Sequence, residues 1–257
     1  MSIRLRILAA TLGGAVLAGG ALLSAVAPVA AAGNTTTTAT HAGPCAAEQA
    51  AYKASETTQN GIALGDCMIG QRLTYLSKAT ARVQGSKTLT STDQSALATI
   101  LSNDTNGLTA LRTTLDGETS LSAVQGDLHA IVSQYRVFAL AARQVALVSQ
   151  ADAVSAAVAR YTGTVSPRLE TRIQAAAAKG RNTSAASEAL TAMNRAVSAA
   201  SSDVSGLSAR VLALTPAQYD AHQARPVLVR AGTAVLRARA QLLDARADAL
   251  RVELRLR

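Results

Sequence analysis

Apolar residues recur along most of this chain at alternating spacings of four and three residues, the pattern of helices that pack on one face. Such ladders run over residues 69–83, 97–115 and 121–145, and over 190–214 and 228–256. After residue 145 the third ladder shifts its phase, which is typical of a stutter in a coiled coil. The pattern therefore predicts long helices that pack through heptad seams.

Helix-stopping residues divide these ladders. Asp116-Gly117 ends the second, and Thr162-Gly163 and Ser166-Pro167 end the third, so residues 119–161 are predicted to form one helix of about 65 Å. Thr215-Pro216-Ala217-Gln218 matches a capping box, and Arg225-Pro226 marks a further break. Because connections this short join antiparallel neighbours, the sequence predicts an all-α fold: an elongated antiparallel bundle of five or six helices with coiled-coil seams.

The composition agrees with a helical fold. Alanine, leucine and arginine are abundant, and five tyrosines and one phenylalanine are the only aromatic residues. Such a composition favours helices over sheets. In the ladder over residues 228–256 one of the two heptad positions is mostly alanine, which predicts close packing of that helix against its neighbour.

The first 32 residues have a different character. Arg4 and Arg6 precede a long uncharged apolar run, which closes on Ala30-Ala31-Ala32. A positive start, an apolar stretch and a small-residue site form a secretory signal peptide, so we predict cleavage after Ala32. The run is also long enough to span a bilayer, so an uncleaved membrane anchor is the alternative.

A domain organisation follows from this assignment. Residues 1–32 are the predicted signal peptide, residues 33–44 a flexible Thr-rich linker, and residues 45–257 a single helical domain. No second uncharged stretch is long enough to suggest a membrane span in the mature chain. The predicted destination is the cell envelope or the medium.

Two cysteines, Cys45 and Cys67, remain after export. An even number of cysteines in an oxidising compartment predicts a disulfide. One continuous helix from Cys45 to Cys67 would hold them about 33 Å apart, so the chain must fold back between them. Asn60-Gly61 and Gly65 are the expected breaks, and two free or intermolecular thiols are the alternative.

Positive charge collects in the last helix. The chain has a formal net charge of +9, and eight arginines stand against three acidic residues from residue 221 onward. Interleaved aromatic residues are missing and the chain is predicted to be exported, which argues against nucleic acid. The basic face is expected to be either a solvated surface or a weak site for anionic envelope polymers or lipid headgroups. Its candidate residues are Arg230, Arg237, Arg239, Arg246, Arg251 and Arg255.

Asp104 falls at a core position of the second ladder. A buried carboxylate needs a partner, and Arg136 and Arg143, seven residues apart in the third ladder, are the candidates. The pair would then fix the register of two helices. A ligand site would need a further convergent polar group, for which Tyr135 is the nearby candidate.

Asp152 interrupts the third ladder in the same way. The stutter is expected to turn it towards solvent. The alternative is a polar layer that Asp152 forms with Arg172 or Arg195.

Motifs of known chemistry are missing from the sequence. It has no His-Glu-x-x-His, Cys-x-x-Cys, Gly-x-Ser-x-Gly or phosphate-binding glycine loop, and its three histidines lie far apart. We therefore expect no enzyme activity, no cofactor and no metal site.

Three stretches carry a resemblance. They are Asp-Thr-Asn-Gly-Leu-Thr-Ala-Leu at 104–111, the segment around Tyr-Arg-Val-Phe at 127–140, and Leu-Ala-Leu-Thr-Pro-Ala-Gln-Tyr at 212–219. Together they resemble a family of secreted, alanine-rich, all-helical proteins of high-GC Gram-positive bacteria, a family of unknown function. The resemblance implies export and a helical architecture, and it transfers no catalytic residue.

The expected function is binding or scaffolding by an exported, non-enzymatic helical protein. Its partner would be an anionic envelope polymer or another protein that contacts its helical surfaces, and an oligomer is compatible with the seams. One alternative is a bundle that binds a small ligand or a metal near Asp104, Tyr135 and Arg136. Another is a peptidoglycan-associated helical module without a catalytic domain.

Overall fold

The computed structural model of this protein describes residues 43–257, and the predicted signal peptide and all but the last two residues of the predicted linker lie outside the described residues. Within that range the chain forms helices and no strand, so the all-α bundle is confirmed. The helices are α1 (Ala46–Ala54), α2 (Thr58–Gly85), α3 (Ser91–Asp116), α4 (Leu121–Ser133), α5 (Ala142–Arg160), α6 (Ser166–Ala177), α7 (Ser184–Val204), α8 (Leu207–Leu212), α9 (Pro216–Asp220) and α10 (Ala224–Arg255).

The helices enclose two groups of buried side chains. The larger lies among α2, α3, α4 and α5 and extends to α8 and the first half of α10. The smaller joins α6, α7 and the second half of α10 around Leu169, Met193 and Val252. The ladder residues read from the sequence supply both groups, since Ile69, Leu101 and most of their ladder partners are buried. α10 therefore connects both parts of the core.

The predicted disulfide is present, and the fold-back that permits it lies earlier than expected. The Cα atoms of Cys45 and Cys67 are 5.8 Å apart in a bonded pair. The chain reverses at residues 55–57, before α2, and Thr57 caps α2 by accepting a hydrogen bond from the Asn60 amide at 3.2 Å. Asn60-Gly61 and Gly65 lie inside α2, so the expected breaks there are wrong.

Gly61 and Gly65 have a packing role instead. Both are buried in α2, and a Cβ atom at either would clash with a core side chain: Val124 at Gly61 and Leu115 at Gly65. The absence of a side chain lets α2 approach its neighbours closely. These two glycines therefore permit a close tertiary contact and do not form a turn.

The single helix predicted over residues 119–161 is wrong in two places: it is interrupted after Ser133, and it does not end at residue 161. α4 ends at Ser133, and Arg136 adopts a left-handed conformation with φ 41° before a π-helical stretch over Val137–Ala141. At the other end the chain continues from α5 through a second π-helical stretch, Tyr161–Val165, directly into α6. The extra residue per turn in a π-helix changes the phase of the buried face without ending the helix.

The start signals before the last helices are confirmed. The Thr215 side chain accepts from the Gln218 amide, and the Gln218 side chain accepts from the Thr215 amide, which completes the capping box of α9. α10 begins at Ala224, so Pro226 lies in its first turn, where a missing N–H leaves no intrahelical bond unmade.

Candidate binding surfaces

Asp104 and Tyr135, predicted as neighbours, line one cavity between α3, α5 and the α8–α9 connection. The cavity has a volume of about 260 Å³, and Gln144, Leu214 and Pro216 also line it. Burial raises the pKa of Asp104 to about 6. The pKa of Tyr135 is raised by burial and by the charge of Asp104. The site therefore presents a carboxyl group that changes charge close to neutral pH.

The two arginines predicted to neutralise Asp104 do not do so. Arg136 forms an ion pair with Asp220, and its guanidinium lies 5.4 Å from the centre of the Tyr219 ring. Arg143 lies on the exposed side of α5. The left-handed turn at Arg136 directs that side chain towards α9, and the predicted cross-helix pair is wrong for both arginines.

Gln144 is a buried polar residue that the sequence reasoning missed. It is 2% exposed, and its side-chain Nε2 donates to the carbonyl oxygens of Val211 and Leu214, both at 3.0 Å. Val211 lies in the last turn of α8, and its carbonyl also accepts from the Leu214 amide at 3.3 Å, whereas Leu214 lies two residues past that helix. Gln144 therefore adds a donor to the end of α8 and to the connection after it, from a helix 67 residues away in sequence. No local pattern signals such a contact.

Asp152 is buried rather than turned to solvent. Its carboxylate accepts from the Thr90 amide at 2.8 Å and from the Ser208 hydroxyl at 3.5 Å. Thr90 caps α3, so the carboxylate lies at the positive end of that helix. Burial is the largest cause of its raised pKa, which the Thr90 hydrogen bond opposes and the nearby Asp93 reinforces.

The predicted partners of Asp152 lie elsewhere. Arg172 forms its ion pair with Glu253 of α10, and Arg195 is exposed on α7. Both expectations for Asp152, solvent exposure and an arginine layer, are wrong. The carboxylate instead fixes the start of α3 and the start of α8 against α5.

No group of three or more histidine, cysteine, aspartate or glutamate side chains that could hold a metal ion occurs within residues 43–257. One helical run in that range, Leu121–Ala177, is long and apolar enough to cross a membrane, and half of its most apolar window is buried inside the bundle. Core helices share that combination of length, apolarity and burial.

All six predicted basic-face arginines are exposed on α10. Arg237 pairs with Asp203 of α7 at 3.3 Å, and Arg251 pairs with Asp248 one turn earlier. Arg237 is exposed, so its pair contributes little to stability. Asp248 is buried, at 7% exposure, and Arg251 is its charge partner. The other four arginines form no ion pair within the described part of the chain: Arg230, Arg239, Arg246 and Arg255.

The same side of α10 exposes large apolar residues that the sequence reasoning did not single out. Leu236 and Leu243 are each 67% exposed. The sequence prediction assigned one apolar ladder to each helix, the buried one, so the second apolar ladder of α10 was not predicted. The exposed apolar residues of this helix are Val229, Leu236, Leu243, Leu250 and Leu254.

No family model, curated protein or solved structure matches this chain at a significant level. The resemblance to secreted helical proteins therefore stays a prediction. Two candidate sites remain, namely the Asp104 cavity and the outer surface of α10.

Proposed function

We propose that this protein is an exported, non-enzymatic helical bundle that acts by binding or scaffolding at the cell envelope, and that the outer face of α10 is its binding surface. The observation that carries the proposal is the combination of exposed arginines and exposed leucines on one 32-residue helix. A helix that serves only the core needs one apolar face and a polar remainder. α10 has apolar residues left over after its core contacts are made.

The charge of α10 supports an anionic partner. Four of its six basic-face arginines have no ion pair within residues 43–257. Clustered exposed charge of one sign attracts the opposite sign, and the attraction weakens as salt rises. Envelope polymers, anionic lipids and acidic proteins all supply that charge.

The disulfide supports the exported location. Cys45 and Cys67 join α1 to α2. Disulfides persist in oxidising compartments outside the cytoplasm, and this one agrees with the predicted signal peptide. Mass spectrometry of the protein recovered from its producing cells tests the location directly. We expect an N-terminus at residue 33 and a bonded cysteine pair, and a mature chain that keeps residues 1–32 would support the membrane anchor instead.

Retention on isolated cell envelopes tests the binding role. We expect the protein to bind envelopes at low salt and to elute near 1 M salt, where the screening length falls to about 3 Å. The variant Arg239→Glu/Arg246→Glu should weaken retention about tenfold. The matched control is Arg143→Glu/Arg195→Glu, which changes the net charge equally at exposed sites on α5 and α7.

The control variant decides between a site and a general charge effect. If both double variants lose retention equally, net charge alone accounts for binding and α10 has no special role. If neither loses it, the proposed surface is wrong. Purified peptidoglycan in place of whole envelopes distinguishes the peptidoglycan-associated module from a protein or lipid partner.

The Asp104 cavity supports a second candidate, the binding of a small organic cation. The carboxylate forms no ion pair within the described residues, and Tyr135 lies beside it in the 260 Å³ space. Small primary amines at pH 8 should then raise the melting temperature of the native protein and leave that of Asp104→Asn unchanged. A panel of amines that shifts neither protein would exclude this candidate.

A further inference from the structure

The outer side of α10 carries a second complete heptad ladder. Eight positions follow alternating spacings of four and three residues, and all eight are exposed. We name this set the outer seam: Val229, Thr233, Leu236, Ala240, Leu243, Ala247, Leu250 and Leu254.

The outer seam lies opposite the core. Each residue of a helix is rotated by about 100° from the one before, so the centre of the outer seam lies about 150° around the helix from the centre of the core ladder that includes Leu228 and Val235. Leu228 and Val235 are 4% and 1% exposed, against 67% for both outer leucines. α10 is therefore apolar on two opposite sides, and the fold covers one of them.

The composition of the outer seam is that of a helix-packing surface. One heptad position holds Val or Leu throughout, and the other holds Thr233, Ala240 and Ala247 before ending at Leu254. Alternating large and small residues form the knobs and holes of a coiled coil. A membrane-surface helix typically has a wider apolar face with aromatic residues, and α10 has no aromatic residue.

The positions that flank the outer seam are basic. Directly after its large residues come Arg230, Arg237, Asp244 and Arg251. Directly before its second set come Gly232, Arg239, Arg246 and Glu253. Three flank residues already have charge partners: Glu253 pairs with α6, Arg237 with Asp203 and Arg251 with Asp248. The flank charges without an ion pair among the described residues are Arg230, Arg239 and Arg246 against Asp244. Since flanking charges select the partner of a seam, these flanks favour a helix with acidic flanks.

A second copy of this chain fits the shape of the seam and conflicts with its charge. In an antiparallel pair the register that sets Leu243 against Ala240 also sets Leu236 against Ala247, which places large residues against small ones. The same register brings Arg230 near Arg251 and Arg239 near Arg246 of the second copy. Arg237 facing Asp244 is the one favourable flank, so like charges outnumber opposite ones.

We infer that the outer seam docks an amphipathic helix of another protein, one whose own apolar seam is flanked by aspartate and glutamate. This inference rests on the proposed binding function and names the partner of that same surface. Anionic envelope polymers satisfy the arginines and leave Leu236, Leu243 and Leu250 in water, so a polymer does not fit the seam.

A synthetic acidic helix tests the inference. It carries a Leu/Ala seam of about four heptads with glutamate at both flanks, and its twin carries lysine at those flanks. Binding to the disulfide-bonded protein is followed by fluorescence anisotropy at moderate salt. We expect the acidic helix to bind at least about tenfold tighter than the basic twin. Leu236→Ser/Leu243→Ser should weaken binding about tenfold or more, because the seam loses its central contacts.

Matched variants distinguish binding through the outer seam from non-specific binding. Both leucines are exposed, so the serine variant should keep the native circular dichroism. Val132→Ser, an exposed apolar residue on α4, should leave binding unchanged. Equal binding of the two synthetic helices, or binding that survives the serine substitutions, would overturn the inference.

Two further measurements test the other possible occupants of the outer seam, a lipid surface and a second copy of this chain. Cosedimentation with equimolar phosphatidylcholine and phosphatidylglycerol vesicles, if abolished by the serine variant while the acidic helix fails to bind, assigns the seam to a lipid surface. Sedimentation velocity that shows a dimer lost on Leu243→Ser assigns it to a second copy. Salt-sensitive envelope retention that persists in the serine variant would leave the proposed function standing and remove only the helical partner.

Discussion

The interior of the bundle and the outer face of α10 differ in whether the residues that do not suit their surroundings have partners. The interior holds polar groups, and its most buried ones have partners: Gln144 binds two carbonyls, and Asp152 binds the Thr90 amide. The outer face of α10 holds leucines that nothing in the described residues covers. Folding thus accounts for these two buried polar residues, and the exposed leucines call for something beyond this chain.

Two leucines on α10 offer the largest test of this difference. Leu228→Ala removes a core side chain that is 4% exposed, and we expect it to cost about 2–5 kcal/mol of unfolding free energy. Leu236→Ala removes the same atoms from the outer seam and should change stability by less than about 0.5 kcal/mol. Urea unfolding of both variants measures the gap. Similar losses for both would mean that the outer seam is covered in the isolated protein.

A polar pair tests the interior in the same matched way. Gln144→Met keeps the length of the side chain and removes the donor to Val211 and Leu214. We expect a loss of about 1–3 kcal/mol, since the Val211 and Leu214 carbonyls each lose the hydrogen bond from Gln144. Gln174→Met makes the same change at an exposed site of α6 and should be close to neutral. Thermal unfolding of the two variants gives the comparison, and equal stability would deny Gln144 a structural role.

The sequence reasoning succeeded where structure follows from local periodicity. The ladders identified most of the buried residues, the capping box at Thr215 is confirmed, and the cysteine pair is bonded. It failed where a contact between residues far apart in sequence determines the local conformation. Arg136 turns left-handed where its side chain meets Asp220, 84 residues later, and Gly61 lies within α2, packed against Val124.

The site residues divide along the same line. Asp104 and Tyr135, the pair of the ligand-site alternative, line one cavity. Gln144 and the partners of Asp152 depend on the positions of α8 and the α3 cap, which no spacing in the sequence encodes. The outer seam is different, because its 4-3 spacing is present in the sequence. A prediction that assigns only one apolar ladder to each helix does not include it.

Asp104 resembles the exposed leucines in that its surroundings do not suit it, because burial disfavours its charged form. Its folded pKa of about 6 lies above its ordinary value of 3.8. Between those values the folded state binds more protons than the unfolded state, so stability falls as pH rises through this window and stays lower above it.

Asp104→Asn removes that dependence and is the smallest of the three expected effects. At pH 7.5 the variant should be more stable than the native protein by about 1–2 kcal/mol, a figure reduced for the partial exposure of the carboxyl group. At pH 3.5, where both states are largely protonated in the native protein, the two should unfold at nearly the same urea concentration. Asp66→Asn alters an exposed carboxylate on α2 that is paired with Arg112, and it should give no such gain at pH 7.5. If the stability difference between the native protein and Asp104→Asn were the same at pH 4 and at pH 7, the raised pKa of Asp104 would be contradicted.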